Sequence, residues 1–161
     1  VPDNAMPMSV KCNANYNNGR LATVQAEADG YDTAIFLNSR GKVSEGPGMC
    51  LFIIRDGIPI TPSISNDILE SVTRDSVLKL IEDTYGIKPI ERDIDRSELV
   101  AADEAFFCGT AWEITPILSI DRINIGTSQI GRTTKEIQDI FFAASEGRKK
   151  EYMSWCHPVY S

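Results

Sequence analysis

Val43-Ser44-Glu45-Gly46-Pro47-Gly48-Met49-Cys50-Leu51-Phe52-Ile53-Ile54-Arg55-Asp56-Gly57-Ile58-Pro59-Ile60 decides the fold. A short strand, Val43 to Glu45, runs into a Gly-Pro-Gly turn, and the apolar run Met49 to Ile54 has the length of a buried strand. Asp56-Gly57 then supplies a two-residue turn, and the chain returns through Ile60. Two apolar runs joined by Asp-Gly predict an antiparallel hairpin. The glycines at 46 and 48 lead into a strand, whereas a dinucleotide fingerprint needs them to open a helix, so that function is excluded.

Outward from the hairpin, Ala34 to Asn38 reads as a further buried strand, and Ser39-Arg40-Gly41-Lys42 as its turn. Before it, Asn15 to Ala28 carries a helical pattern with Leu21, Val24 and Ala28 on one face and Gly30 as a stop. Downstream, Thr73 is placed to cap a helix with Val77, Leu80, Ile81 and Thr84 on one face, ended by Gly86. Thr133 and Glu136 form a capping-box pattern ahead of Ile137, Ile140, Phe141 and Ala144, with Gly147 beyond. Strands are expected at Ile87–Glu91, Glu104–Cys108, Glu113–Ile117 and Arg122–Ile125. Strands and helices mix without regular alternation. The fold class is therefore α/β in the mixed α+β sense, an antiparallel-rich sheet with about three main helices.

The chain has 161 residues, 42% of them hydrophobic, enough for one sizeable core. No run of 18 apolar residues and no signal peptide is visible. The chain opens without an initiator methionine, so it is expected to be a piece of a longer protein. Net charge is −7, and the 16 lysines and arginines are scattered apart from Arg148-Lys149-Lys150 after a helix end. Neither nucleic acid nor membrane is an expected partner. The cysteines at 12, 50, 108 and 156 form no CxxC pair, and His157, the single histidine, has no ligand-spaced neighbour. Free thiols in a reducing cytoplasm and no metal site are the expectation.

Some segments allow anion binding without requiring it. Ser71, Val72 and Thr73 stand where a loop enters a helix, a place for a phosphate or for an ordinary cap, the latter being commoner. Gly109-Thr110-Ala111 puts small residues at a strand end, as a ligand-binding turn or a plain turn would. Gly131-Arg132-Thr133-Thr134-Lys135 lacks the residue order of a phosphate loop. Lys11 and Glu45 are unremarkable singly.

Their company is informative. Lys11-Cys12-Asn13-Ala14-Asn15-Tyr16 resembles the Lys-x-x-x-Asn-Tyr segment of branched-chain aminotransferases. Ser44 to Phe52 resembles their Ser-Glu-Gly-x-Gly-x-Asn-Leu-Phe motif, and Leu69 to Asp75 their Leu-Pro-Gly-Ile-Thr-Arg-Asp. Ala102-Asp103-Glu104, Gly109 to Pro116 and Gly131 to Gln138 are similar to later motifs, in family order and at family spacing. Departures are Cys50 for a usual Asn, Glu70 for Pro, Ser71 for Gly and Trp112 for a frequent Ala.

The resemblance implies a fold-type-IV enzyme dependent on pyridoxal 5'-phosphate, with residues 1–161 forming its single, pseudo-barrel, C-terminal cofactor-binding domain. The family's smaller N-terminal domain has no counterpart in the chain. Lys11 would hold the cofactor as a Schiff base and shuttle the proton. Glu45 would face the pyridine nitrogen and Tyr16 the 3′ oxygen. Leu69, Ser71, Val72, Thr73 and Thr110 would complete the cofactor site, and Gly48, Thr110 and Ala111 would meet the substrate. The implied reaction passes an amino group from a branched-chain or other hydrophobic L-amino acid to a 2-oxo acid such as 2-oxoglutarate, in a homodimer or larger oligomer. Aminodeoxychorismate lyase activity, D-amino-acid aminotransferase activity, or a cofactor-binding fragment inactive without its N-terminal domain remain alternatives.

Overall fold

The Asp56-Gly57 hairpin is the spine of the computed structural model, which describes residues 2–160. Strands β1 (Cys50–Arg55) and β2 (Ile58–Thr61) pair antiparallel with Arg55 opposite Ile58. Asp56 and Gly57 both take positive φ, 51° and 74°, the geometry of a two-residue turn whose twist suits flanking strands. Between Thr61 and the next strand lies helix α2 (Val72–Tyr85). It leads to β3 (Ile90–Glu91), parallel to β2. A short helix, α3 (Arg96–Leu99), precedes β4 (Glu104–Gly109) and β5 (Glu113–Pro116). The five strands lie in the order β3-β2-β1-β4-β5, antiparallel except at β2–β3. A separate hairpin of β6 (Ser119–Ile120) and β7 (Ile123–Asn124) and helix α4 (Arg132–Ser145) complete the main elements after α1 (Tyr16–Ala28). The mixed, mostly antiparallel expectation holds.

Both faces of β1 are covered, which explains why it reads as a continuous apolar run instead of an alternating one. Leu51 and Ile53 join Val43, Ile60, Ile94, Leu99 and Phe107 on one face. Phe52 and Ile54 join Phe106 from β4, Val77 and Ile81 from α2 and Ile137 from α4 on the other. Phe52 and Phe106, paired across β1 and β4, stack at 5.1 Å between ring centroids. The sheet is thus covered on one face by two helices.

Several local expectations need correction. The N-cap of α2 is Ser71, whose side chain accepts from the Arg74 N–H at 3.3 Å, and Thr73 lies inside the helix. The capping box at Thr133 and Glu136 does not form. Glu104 of β4 caps α4 instead, accepting from the N–H groups of Thr133 and Thr134 at 3.0 and 2.7 Å, while Glu136 bonds Arg132 and Tyr85. A carboxylate at the positive end of a helix dipole satisfies two otherwise orphaned donors. Gly131 makes room for it, since a Cβ there would fall 2.0 Å from Glu104 Cδ. Gly131→Ala is therefore expected to expel the carboxylate and cost about 2 kcal/mol or more, read as a lowered urea midpoint.

Ala34–Asn38 and Val43–Glu45 are joined by a bridge at Leu37 and Val43 and by Phe36–Glu45 and Ser44–Phe36 hydrogen bonds, without forming full strands. Short pairing interrupted by a turn cannot extend. In α1 the expected inner stripe is turned outward: Leu21 is 73% and Val24 65% exposed, and Ala28 is exposed too. The helix docks by Gly19 and Ala26, and a Cβ on Gly19 would lie 2.8 Å from the Pro47 carbonyl oxygen. Periodicity marks an apolar face but not what lies against it. Among the described residues no helix is long and apolar enough to cross a membrane.

Candidate active site

A cavity of about 240 Å³ opens between the arm that precedes α1, the turn at Gly46–Gly48, the loop from Asp67 to Ser71 and the turn at Gly109–Ala111. The arm is shaped by Asn15, whose Nδ2 donates to the carbonyls of Pro7 and Val10, both at 2.8 Å. That clasp stands beside Lys11. A single 3-10 turn, Asn13–Asn15, then feeds α1, and Tyr16 in its first turn faces back. Lys11 is exposed, and its Nζ donates to the Tyr16 hydroxyl at 2.8 Å.

Glu45 stands on the opposite side of this arrangement and is only 7% exposed. Its backbone carbonyl accepts from Phe36, and its Oε2 accepts from the Leu69 N–H at 3.0 Å. Ser44 Oγ donates to the Asp67 carbonyl at 2.8 Å, so the 44–45 segment is stapled to the 67–69 loop at two points. Asp67 takes φ 55°, a left-handed conformation that Asp tolerates better than most residues. Burial pushes the Glu45 carboxyl up to about 7, against the Leu69 N–H and the nearby Lys11 charge, which both pull it down. A buried carboxyl poised near neutrality is a common mark of a functional site.

The glycine turn is closed by the Gly46 N–H on the Met49 carbonyl at 2.8 Å. A Cβ on Gly46 would meet Met49 Sδ at 2.7 Å, and one on Gly109 would meet the Gly48 carbonyl oxygen at 3.2 Å. Close approach thus sets the Gly48 and Thr110–Ala111 turns side by side. The latter turn ends at Glu113, held at φ 50°, and at Thr115 Oγ1, which donates to the Trp112 carbonyl.

Of the residues singled out in the sequence, Lys11, Tyr16, Glu45, Gly48, Leu69, Ser71, Thr110 and Ala111 all line this cavity. Val72, 84% exposed, and Thr73 sit on the first turn of α2, outside the lining. Ser71 brings the N-terminal end of α2 to the cavity's edge, where unpaired first-turn amides and the helix dipole favour an anion. Glu70 is exposed, so solvent and salt screen its charge. Trp112 lies outside the cavity and packs edge-on against Phe107, 6.1 Å between centroids. The holding roles of Asn15, Ser44 and Asp67 were not foreseen, because each depends on a backbone group brought near by the fold. Asn15 and Ser44 stood only as members of motifs, and Asp67 carried no signal.

The chemistry of this donor set is specific. A primary amine beside a phenol can condense with a carbonyl. A buried carboxyl can face a protonated ring nitrogen, a helix start can take a phosphate, and an exposed turn offers N–H groups to a carboxylate. The set fits a phosphorylated aromatic aldehyde. Among the described residues no group of three or more His, Cys, Asp or Glu side chains could hold a metal ion.

Comparison with known proteins defines the class. The model of the amino-transferase class IV family matches residues 3–120, and the chain belongs to that family. Among curated proteins it is 45% identical over 158 residues to a probable branched-chain-amino-acid aminotransferase of Aquifex aeolicus, covering 98% of this chain and 51% of that protein. Among solved structures it resembles the branched-chain amino acid aminotransferase of Thermobaculum terrenum in its PLP-form, with TM-score 0.97 and 45% identity, covering 100% of this chain and 52% of the other. The branched-chain aminotransferase of Thermoproteus uzoniensis with norvaline matches at TM-score 0.94 and 44% identity, covering 99% and 52%. The chain spans about half the length of the curated relatives it matches.

Proposed function

We propose that this chain is the cofactor-binding domain of a pyridoxal-phosphate-dependent aminotransferase acting on a branched-chain or other hydrophobic L-amino acid, with a 2-oxo acid such as 2-oxoglutarate as acceptor. The observation that carries the proposal is the convergence of Lys11, Tyr16 and the buried Glu45 on one cavity beside a helix start. When bound, pyridoxal phosphate supplies the aldehyde and the electron-withdrawing ring. Lys11 would hold it covalently and would carry a proton between the substrate Cα and the C4′ position. Glu45 would keep the ring nitrogen protonated, and Tyr16 would hydrogen-bond the 3′ oxygen. Leu69 and Ser71, with the amides of Val72 and Thr73 and the Thr110 side chain, hold the phosphate end. Gly48 and the N–H groups of Thr110 and Ala111 receive the substrate carboxylate. The relatives' names and the norvaline complex support the substrate class. Residues 1–161 form one domain in this proposal, completed by a smaller N-terminal domain in a cytoplasmic homodimer or larger oligomer.

The test supplies the intact protein with pyridoxal phosphate, L-leucine and 2-oxoglutarate and measures glutamate. Glutamate formation supports the proposal. Pyruvate released from aminodeoxychorismate, without amino transfer, would mark a lyase and overturn it. Asn15→Ala removes two hydrogen bonds that shape the lysine arm. It is expected to weaken pyridoxal phosphate binding about tenfold with the unfolding midpoint nearly unchanged, checked by equilibrium titration.

A further inference from the structure

The pairing of β1 with β4 sets Cys50 directly opposite Cys108. Directly opposed residues of an antiparallel pair have Cα atoms about 4.5–5.5 Å apart and side chains on the same face, inside the roughly 4.4–6.8 Å that a disulfide spans. Both thiols belong to the sheet face that holds Phe52, Phe106 and Ile137, and both are buried and free. Their positions relative to the cavity differ. Cys50 lines the cavity and its Sγ donates to the Leu69 carbonyl at 3.7 Å, whereas Cys108 lies behind it and outside the lining. The Cys50 thiol beside it, together with burial, holds the Cys108 thiol well above the usual range. Cys108 therefore rests protonated, as a resolving thiol that waits on its neighbour.

We propose that Cys50 and Cys108 form a dithiol modification site, closed to an intramolecular disulfide by small disulfides that arrive through the cavity. Deprotonated Cys50 attacks one sulfur of the small disulfide. The old S–S bond breaks, one thiolate leaves and is protonated, and a mixed disulfide remains on Cys50. Cys108 then loses its proton and attacks the Cys50 sulfur, expelling the second thiolate. Two protein thiols lose two electrons and two protons, and the small disulfide becomes two thiols. Closure turns Cys50 Sγ away from the Leu69 carbonyl, and the Leu69 N–H is the group that holds Glu45. The modification is thus felt at the buried carboxylate of the site.

The experiment treats the folded, intact protein with bis(2-hydroxyethyl) disulfide, then maps thiols by mass spectrometry without reduction. The expected product joins the Cys50 and Cys108 peptides with loss of two hydrogens. In C108S a hydroxyethylthio group should stay on Cys50, and in C50S Cys108 should remain reduced. Reaction at Cys12 and Cys156 alone, or a Cys50–Cys108 bond that forms only in urea, overturns the proposal. A second arm rests on the cofactor proposal: pyridoxal phosphate should slow closure about tenfold or more by filling the route. Cofactor that binds at Lys11 without slowing closure overturns entry through the cavity. If no cofactor binds at all, the functional proposal fails, and the dithiol is still judged on the unliganded protein.

Discussion

Replacing Lys11 by alanine is expected to lower amino transfer by at least about a thousandfold while the protein stays folded. The side chain is exposed, and among the described residues its hydrogen bond is to the Tyr16 hydroxyl, so the fold loses little with it. The chemistry loses much. Among the described residues Lys11 is the only amine lining the cavity, and the proposal gives it two roles, covalent anchor and proton carrier. Positioned proton transfer alone is commonly worth about 10²–10⁴ in rate. Lys11→Arg, which keeps the positive charge but not a nucleophilic amine, should fail equally, whereas Tyr16→Phe should cost only about tenfold through loss of one hydrogen bond. Steady-state rates alongside urea unfolding of each variant separate the effect from misfolding. Activity within tenfold of the parent in Lys11→Ala would contradict the assignment.

The second large effect concerns Glu45 and has opposite signs for stability and activity. Its carboxyl is raised from 4.5 in the unfolded chain to about 7 in the fold, chiefly by burial. Between those values the unfolded state has lost a proton that the folded state keeps. Stability therefore falls as pH rises through this window, by about 1.4 kcal/mol per unit, and levels off above the folded value. The accumulated loss is on the order of 3 kcal/mol. Glu45→Gln never ionises, and its amide oxygen can still accept from the Leu69 N–H. Without cofactor, this variant should be more stable than the parent near pH 8 by up to about 3 kcal/mol and nearly equal to it near pH 4.5. Amino transfer should fall about a hundredfold or more, because a neutral amide cannot hold a ring nitrogen protonated. Urea titrations of both proteins across that pH range check the first half, and parallel pH dependences would refute it.

The central hairpin was legible because its turn is local: Asp56 and Gly57 take positive φ in a short span, and the residues that want that geometry are the ones present. Helices α2 and α4 were legible for the same reason, through periodicity and terminal glycines. Their caps were not. Glu104 reaches the start of α4 from a strand 29 residues away in sequence, and no nearest-neighbour pattern reports such a meeting. Leu21 and Val24 show the complementary limit, an apolar stripe that describes a helix face but faces outward in this chain.

The site divides along the same line. Lys11 and Glu45 carry no signal singly and became readable only as members of several ordered motifs. The cavity then brings them together with Tyr16, Leu69, Ser71, Thr110 and Ala111. Asn15, Ser44 and Asp67, which hold the backbone of the lysine arm and of the glutamate loop, depend on tertiary approach, and their residue types are common in any loop. The Cys50–Cys108 pair was likewise invisible as spacing, since only the strand register sets the two thiols face to face.

One measurement tests the covalent role of Lys11 most directly. The intact protein is incubated with pyridoxal phosphate, reduced with borohydride, digested and mapped by mass spectrometry. A single stable pyridoxyl phosphate group is expected, on the peptide that contains Lys11. In Lys11→Ala the group should disappear without moving to Lys42 or another surface lysine. Label spread over several lysines, or none on Lys11, would contradict it.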